Sequence, residues 1–267
     1  MIDNERIIVS MTSYPKRIST VGKSLYYILT KQTVKPDEIH LWLAEPEFKN
    51  KEKDLPEDLN LIIENYKEVY LHWLPKNTYC HKRHEIFKQT TDNDLVFIFD
   101  DDVIYKENLI EKTLEVHKKY PDCIINYNLY SKHIYSGKKI IYKTLQKSKY
   151  NVPRLDIRFF GQSMIPSKLF PKQLLTDEMV KIRDKCSPIC DESWLTPWFV
   201  YYGIKIYCEQ FGWGTNIASE VDMWSGLIKY THKIEANGLE RRDNWLSNVL
   251  TEFPEILAVY KKQFNYG

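Results

Sequence analysis

No apolar run in this 267-residue sequence approaches the roughly 20 residues that a membrane-spanning helix requires. An excess of one charge is missing too. The 38 basic and 36 acidic residues leave a net +2, which argues against a dedicated nucleic-acid binder, whose footprint is a basic patch or stripe. Cysteine is sparse and odd in number. Cys80, Cys123, Cys186, Cys190 and Cys208 are scattered, and "CSPIC" (186–190) has no second Cys or His pair at zinc-ligand spacing. They read as reduced thiols of a cytoplasmic protein. The chain runs at once into "RIIVSMT", which predicts a first core strand and no targeting peptide. Repeats and low-complexity linkers are absent, so one domain with an elaborated C-terminal half is expected. Glycine, present 9 times, is outnumbered by 19 Tyr, 11 Phe and 7 Trp, so an aromatic-rich core, surface or pocket is expected; sugar rings stack well on such side chains.

Short apolar runs bounded by polar turns fill the first half: residues 6–11, 38–44, 69–74, 95–99 and 123–128 read as buried strands. Between several of them lies helical spacing. In 17–32, Ile18, Val21, Leu25, Ile28 and Leu29 share a face, and 106–119 repeats the pattern with Leu109, Leu114 and His117 before Pro121. Alternating strands and helices predict an α/β fold with a mainly parallel sheet flanked by helices, whose ligands sit at the carboxyl ends of the strands. The charged stretch 49–58 reads as a surface loop, and 131–161 shows no clear period. Leu250, Phe253, Leu257, Tyr260 and Phe264 alternate by steps of three and four, a face to be packed on the body or offered to a membrane surface or another subunit.

One strand end is chemically unusual. "LVFIFDDDVIY" (95–105) runs five apolar residues into Asp100, Asp101 and Asp102. Adjacent like charges repel by about 1 kcal/mol per pair even in water, so a cation belongs nearby. Asp100 and Asp102 form an Asp-x-Asp pair of hard oxygen ligands, suited to Mn²⁺ or Mg²⁺ held together with phosphate oxygens. Asp101 points differently and could meet sugar or ribose hydroxyls. A solvated acidic turn capping the next helix is the plainer alternative, although a cap needs only one Asp.

With "IIVSMTSYPKRI" (7–18) before it and "CDESWLTPWFVYYGIKI" (190–206) after it, this strand resembles the bacterial GT-A glycosyltransferases of capsule and lipopolysaccharide clusters, relatives of the family 2 enzymes. The resemblance spans Ile7 to about Ile206 and rests on several motifs in order. It implies a GT-A, Rossmann-like domain over 1–267, with a nucleotide-binding half (1–128) and an acceptor-side half (129–267). It also implies a metal-dependent, inverting transfer from a nucleotide sugar, such as a UDP-sugar, to a glycan or lipid-linked glycan at the inner face of the cytoplasmic membrane.

Residue by residue, the resemblance implies that Thr12, Tyr14 and Arg17 cradle the nucleotide, with Arg17 on the diphosphate. Asp102 is then the direct metal ligand, with Asp100 between metal and ribose and Asp101 on the nucleotide. Lys82, in "YCHKRHEIF" (79–87), matches a nucleotide contact, with surface exposure as the alternative. Asp191 or Glu192 matches the acid that takes the acceptor proton, Asp191 being preferred; both also fit as plain helix N-terminal acids. Gly161 marks an acceptor-side loop with less glycine than its relatives. Trp194 and Trp198, four apart, line the acceptor sugar or pack in the core. His232 is a candidate third metal ligand, and Arg241 and Arg242 could close over the diphosphate. Two rival classes remain: a phosphohydrolase or nucleotidyltransferase, which needs more converging metal ligands than the sequence shows, and a carbohydrate-binding protein without turnover.

Overall fold

In the computed structural model, residues 5–127, 131–136, 139–144, 152–159, 162–208, 214–217 and 238–264 are described. Eleven strands are present among them: β1 (Ile7–Thr12), β2 (Glu38–Ala44), β3 (Val69–Leu74), β4 (Leu95–Ile98), β5 (Val103–Tyr105), β6 (Cys123–Asn126), β7 (Ser131–Ser136), β8 (Lys139–Thr144), β9 (Ser163–Pro166), β10 (Lys205–Cys208) and β11 (Gly214–Asn216). Seven of them form the central sheet in the order β10-β6-β9-β4-β1-β2-β3. β1 pairs in parallel with β2 and β4, β2 with β3, and β6 with β10. β9 alone runs antiparallel, wedged between β4 and β6. Two small antiparallel ribbons, β5 with β11 and β7 with β8, complete the strands.

Both faces of the sheet are covered, as near-continuous apolar strands require. Alternation along β1 sends Val9 and Met11 to one face and Ile8 to the other. Helices α1 (Ile18–Lys31), α2 (Glu57–Asn65) and α3 (Leu109–Lys119) cover the first face, with Val21, Leu25, Ile28, Leu59 and Leu109 inside. The second face is covered by a ten-residue 3₁₀ run, Tyr79–Lys88, by α5 (Asp191–Tyr201), and by the helices Gly238–Glu252 and Pro254–Phe264. Helix α4 (Asp177–Cys186) adjoins this layer, and the side chain of Thr176 caps it by accepting from the Met179 amide.

Helix α5 is buried on every side from Asp191 to Val200, which fits its lack of a polar stripe. It ends at Gly203, whose φ of +70° lets the chain turn directly into β10. Two local expectations change. The charged stretch 49–58 contains a 3₁₀ turn, Lys51–Asp54, and the start of α2, held down by Leu59 and Ile62. The apolar face at 250–264 is shared by two helices, because the chain breaks at Phe253 before Pro254; Leu250, Tyr260 and Phe264 are nevertheless buried.

Candidate active site

β1 and β4 are parallel neighbours, with Ser10 opposite Ile98, so the loop after β1 and the three aspartates after β4 emerge side by side. The cation that the acidic run calls for is Arg17. Its Nη1 lies 3.2 Å from Oδ1 of Asp101 and its Nη2 2.9 Å from Oδ2 of Asp102. Ser13 donates to Oδ2 of Asp101 at 2.5 Å, and Thr20 donates to the Asp101 carbonyl at 2.9 Å. The loop that resembles a nucleotide cradle is thus tied to the middle aspartate.

Asp100 turns the other way. Its Oδ1 accepts from Nη1 of Arg83 at 2.7 Å and its Oδ2 from Nε2 of Gln162 at 2.6 Å, while its amide donates to the Tyr105 hydroxyl at 2.6 Å. Arg83 is buried in the 3₁₀ run. Its carbonyl accepts from Ser10, and its Nε and Nη2 both reach Oδ2 of Asp191, at 3.1 and 2.8 Å. One guanidinium therefore joins the end of β4 to the start of α5. Burial would raise the Asp191 carboxyl, but Arg83 overrides it and holds the group well below the usual carboxylate range. The other oxygen of Asp191, Oδ1, accepts no hydrogen bond from another described residue. Its neighbour Glu192 pairs with Arg158.

Asp102 is the least compensated of the three acids. Burial, followed by repulsion from Asp101, pushes its carboxyl up to about 7 against the pull of Arg17. Burial also raises Asp101. Arg17 occupies only Oδ2 of Asp102, and Oδ1 accepts nothing from another described residue. Among the described residues no three His, Cys, Asp or Glu side chains are arranged around a metal position. A divalent ion shared with phosphate oxygens needs only one or two carboxylates, so the donor set fits such an ion through Asp102.

Beside these acids lies a cleft of about 490 Å³ lined by Thr12, Tyr14, Arg17, Lys82, Arg83, Asp100 and Asp101, with Glu47, Asn77 and Tyr79 on the β2–β3 side; neither Asp102 nor Asp191 lines it. That volume suits a small-molecule ligand. Lys82 is buried beside it, its Nζ 3.1 Å from Glu47 and 3.0 Å from Oδ1 of Asn77; burial lowers its pKa against the pull of Glu47. Thr12 donates to the Trp42 carbonyl at 2.7 Å.

Six candidates thus border one cleft: Thr12, Tyr14, Arg17, Lys82, Asp100 and Asp101. Asp102 joins through Arg17, and Asp191 through Arg83. Trp194 and Trp198 are elsewhere: both lie in the core against Phe253, and neither lines the cleft. Gly161, His232 and the side chains of Arg241 and Arg242 lie outside the described residues. Sequence reasoning missed Arg83, Ser13, Gln162 and Arg158. Arg83 stands beside the singled-out Lys82, but the 3₁₀ run lacks an amphipathic period that would show which of the two joins the acids.

A mostly parallel seven-stranded sheet with helices on both faces and an acidic turn at the carboxyl end of an inner strand makes a Rossmann-like α/β fold of the GT-A type. The chain is similar to the crystal structure of S. aureus TarS 1–349, with a TM-score of 0.51 and 12% identity over 97% of this chain and 73% of that one. A second crystal structure, of S. aureus TarS 1–349 in complex with UDP, gives 0.50 and 11% over 95% and 83%. No family model and no curated protein sequence matches the chain.

Proposed function

We propose that this protein is a glycosyltransferase that moves a sugar from a nucleotide-sugar donor, a UDP-sugar in the first instance, to a hydroxyl of a glycan or lipid-linked glycan during surface-polysaccharide synthesis. The observation that carries the reading is the meeting of Arg17 with Asp101 and Asp102 at the mouth of β1 and β4, beside a cleft of nucleotide size. The GT-A fold, and the UDP bound by a protein that shares it, support the same ligand class.

In this reading Arg17 meets diphosphate oxygens in the geometry that suits a guanidinium. Asp102 would hold Mn²⁺ or Mg²⁺ through its open Oδ1, since both oxygens of Asp100 are engaged by Arg83 and Gln162. Bound there, the ion supplies charge neutralisation for the departing nucleoside diphosphate. Arg83 keeps Asp191 ionised, and the oxygen it leaves open, Oδ1, accepts the proton of the acceptor hydroxyl as that oxygen attacks the anomeric carbon from the face opposite the departing nucleoside diphosphate, an inverting transfer.

The test is a panel of nucleoside diphosphates and nucleotide sugars, read by thermal shift and by release of the free nucleotide, with Mn²⁺ and with excess chelator. A metal-dependent response to UDP and its sugars is expected. Absence of a response to every nucleotide would overturn the proposal, and full turnover in chelator would remove the metal from it.

A further inference from the structure

Two described residues other than glycine hold a positive φ: Lys51 at 54° and Tyr79 at 53°. That left-handed region crowds any side chain with a Cβ, and glycine or asparagine enters it far more readily than tyrosine. Tyr79 is nevertheless fixed there. Its amide donates to Oδ1 of Asn77 at 2.8 Å, the oxygen that also takes Lys82, and Lys82 is tied in turn to Glu47 after β2. The ring so positioned does no work in the core. It is 46% exposed, belongs to neither hydrophobic cluster, stacks on no other described ring, and lines the cleft. A strained backbone that presents a half-bare aromatic face at a cleft points to a ligand.

The order of the strands says which part of the ligand. Along the carboxyl edge, Asp100 follows β4, Thr12 ends β1, Glu47 follows β2, and Asn77 and Tyr79 follow β3. Three strand spacings separate β4 from β3, about 14 Å, a span that an extended nucleoside diphosphate can cover. With its phosphates at Arg17 and the acids, its base extends towards β3.

We propose that Tyr79 is the stacking platform for the nucleobase of the donor. The proposal rests on the reading of the cleft as a nucleotide-sugar site and adds to it a residue that binds without touching the reacting atoms. Every base has a π face, so the platform contributes affinity and leaves the choice of base to polar groups at its edge.

Tyr79→Gly separates this role from a structural one, because it deletes the ring and relieves the left-handed strain together. Calorimetry with UDP and, separately, inorganic pyrophosphate would be run on wild type, Tyr79→Gly and Tyr79→Phe. The Gly variant is expected to melt at or above the wild-type temperature yet bind UDP about tenfold or more weakly, whereas the Phe variant stays within about twofold. Pyrophosphate affinity should be the same in all three. Unchanged UDP affinity in Tyr79→Gly, or an equal loss for pyrophosphate, would overturn the platform while leaving the transferase reading intact. If wild type binds neither UDP nor any other nucleotide, both proposals fall together.

Discussion

Arg83 holds Asp191 with two nitrogens on a single oxygen, Nε and Nη2 at 3.1 and 2.8 Å from Oδ2, while its third nitrogen reaches Asp100 at 2.7 Å. Both members of the Arg83–Asp191 pair are almost wholly buried. Truncating one partner of such a pair leaves the other charge stranded, at a cost of about 3–5 kcal/mol, whereas replacing both with apolar groups costs much less. Arg83→Met and Asp191→Leu are each expected to lower the urea midpoint strongly. The double variant should lose clearly less than the two single losses combined. Additive losses would show that the pair is not coupled.

The same pair bears on the base proposed for the acceptor hydroxyl. Asp191→Asn keeps the shape and an oxygen for Arg83 but loses the charge opposite it and a proton acceptor, so the variant should be less stable than wild type, and the folded protein should bind the donor as before but transfer roughly 10²–10⁴-fold more slowly. Glu192→Gln, at a side chain paired with Arg158, is expected to be milder. Transfer rates with the true acceptor decide between them: a dead Glu192→Gln beside an active Asp191→Asn would exchange the roles.

Asp102 predicts a pH effect with a definite sign. Its carboxyl is raised to about 7 in the folded protein, so between its ordinary range and that value the folded state keeps a proton that the unfolded chain has released. This unfavourable contribution grows as pH rises through that window and is constant above it. In the absence of divalent ions, Asp102→Asn should therefore be more stable than wild type at about pH 8 and lose that advantage towards about pH 4. Added Mn²⁺ should stabilise wild type and have less effect on the variant. Chemical denaturation at several pH values, with and without the ion, measures both.

Under the sheet, His84 predicts the opposite slope. Burial lowers it to about 3, and its Nε2 has no hydrogen-bond partner. The unfolded chain takes up a proton below about 6.5 that the folded state refuses, so the stability present above that value is lost as pH falls. His84→Phe keeps a ring to stack on Phe87 and Phe170 and removes both the titration and the orphaned nitrogen. Its stability relative to wild type should rise steadily as pH drops from about 6.5 to 4. A pH-independent difference would contradict the buried, neutral assignment.

Much of the scaffold was legible because its signals are local. Strands β1, β2 and β3 fall where short apolar runs place them, and α1 buries Ile18, Val21, Leu25 and Ile28 at the expected spacing. The acidic run also announced its need for a cation, since three adjacent carboxylates repel wherever they are put. Trp194 and Trp198 were ambiguous because a four-residue spacing on a helix fits a binding surface and a core equally; only the packing of Phe253 against both rings places them inside.

By itself, then, the sequence determined the alternation of strands and helices and the acids at the end of β4, because periods of two and 3.6 and the clash of neighbouring charges are properties of a short stretch of chain. Tertiary structure decided the rest. It inserted β9 antiparallel between β4 and β6, brought Gln162 to Asp100 across 62 residues, and set Arg83 between Asp100 and Asp191, which lie 17 and 108 residues from it. Such partners carry no mark in their own segments. They are chosen when burial strips water from the charges, because a buried charge left without a partner is costly.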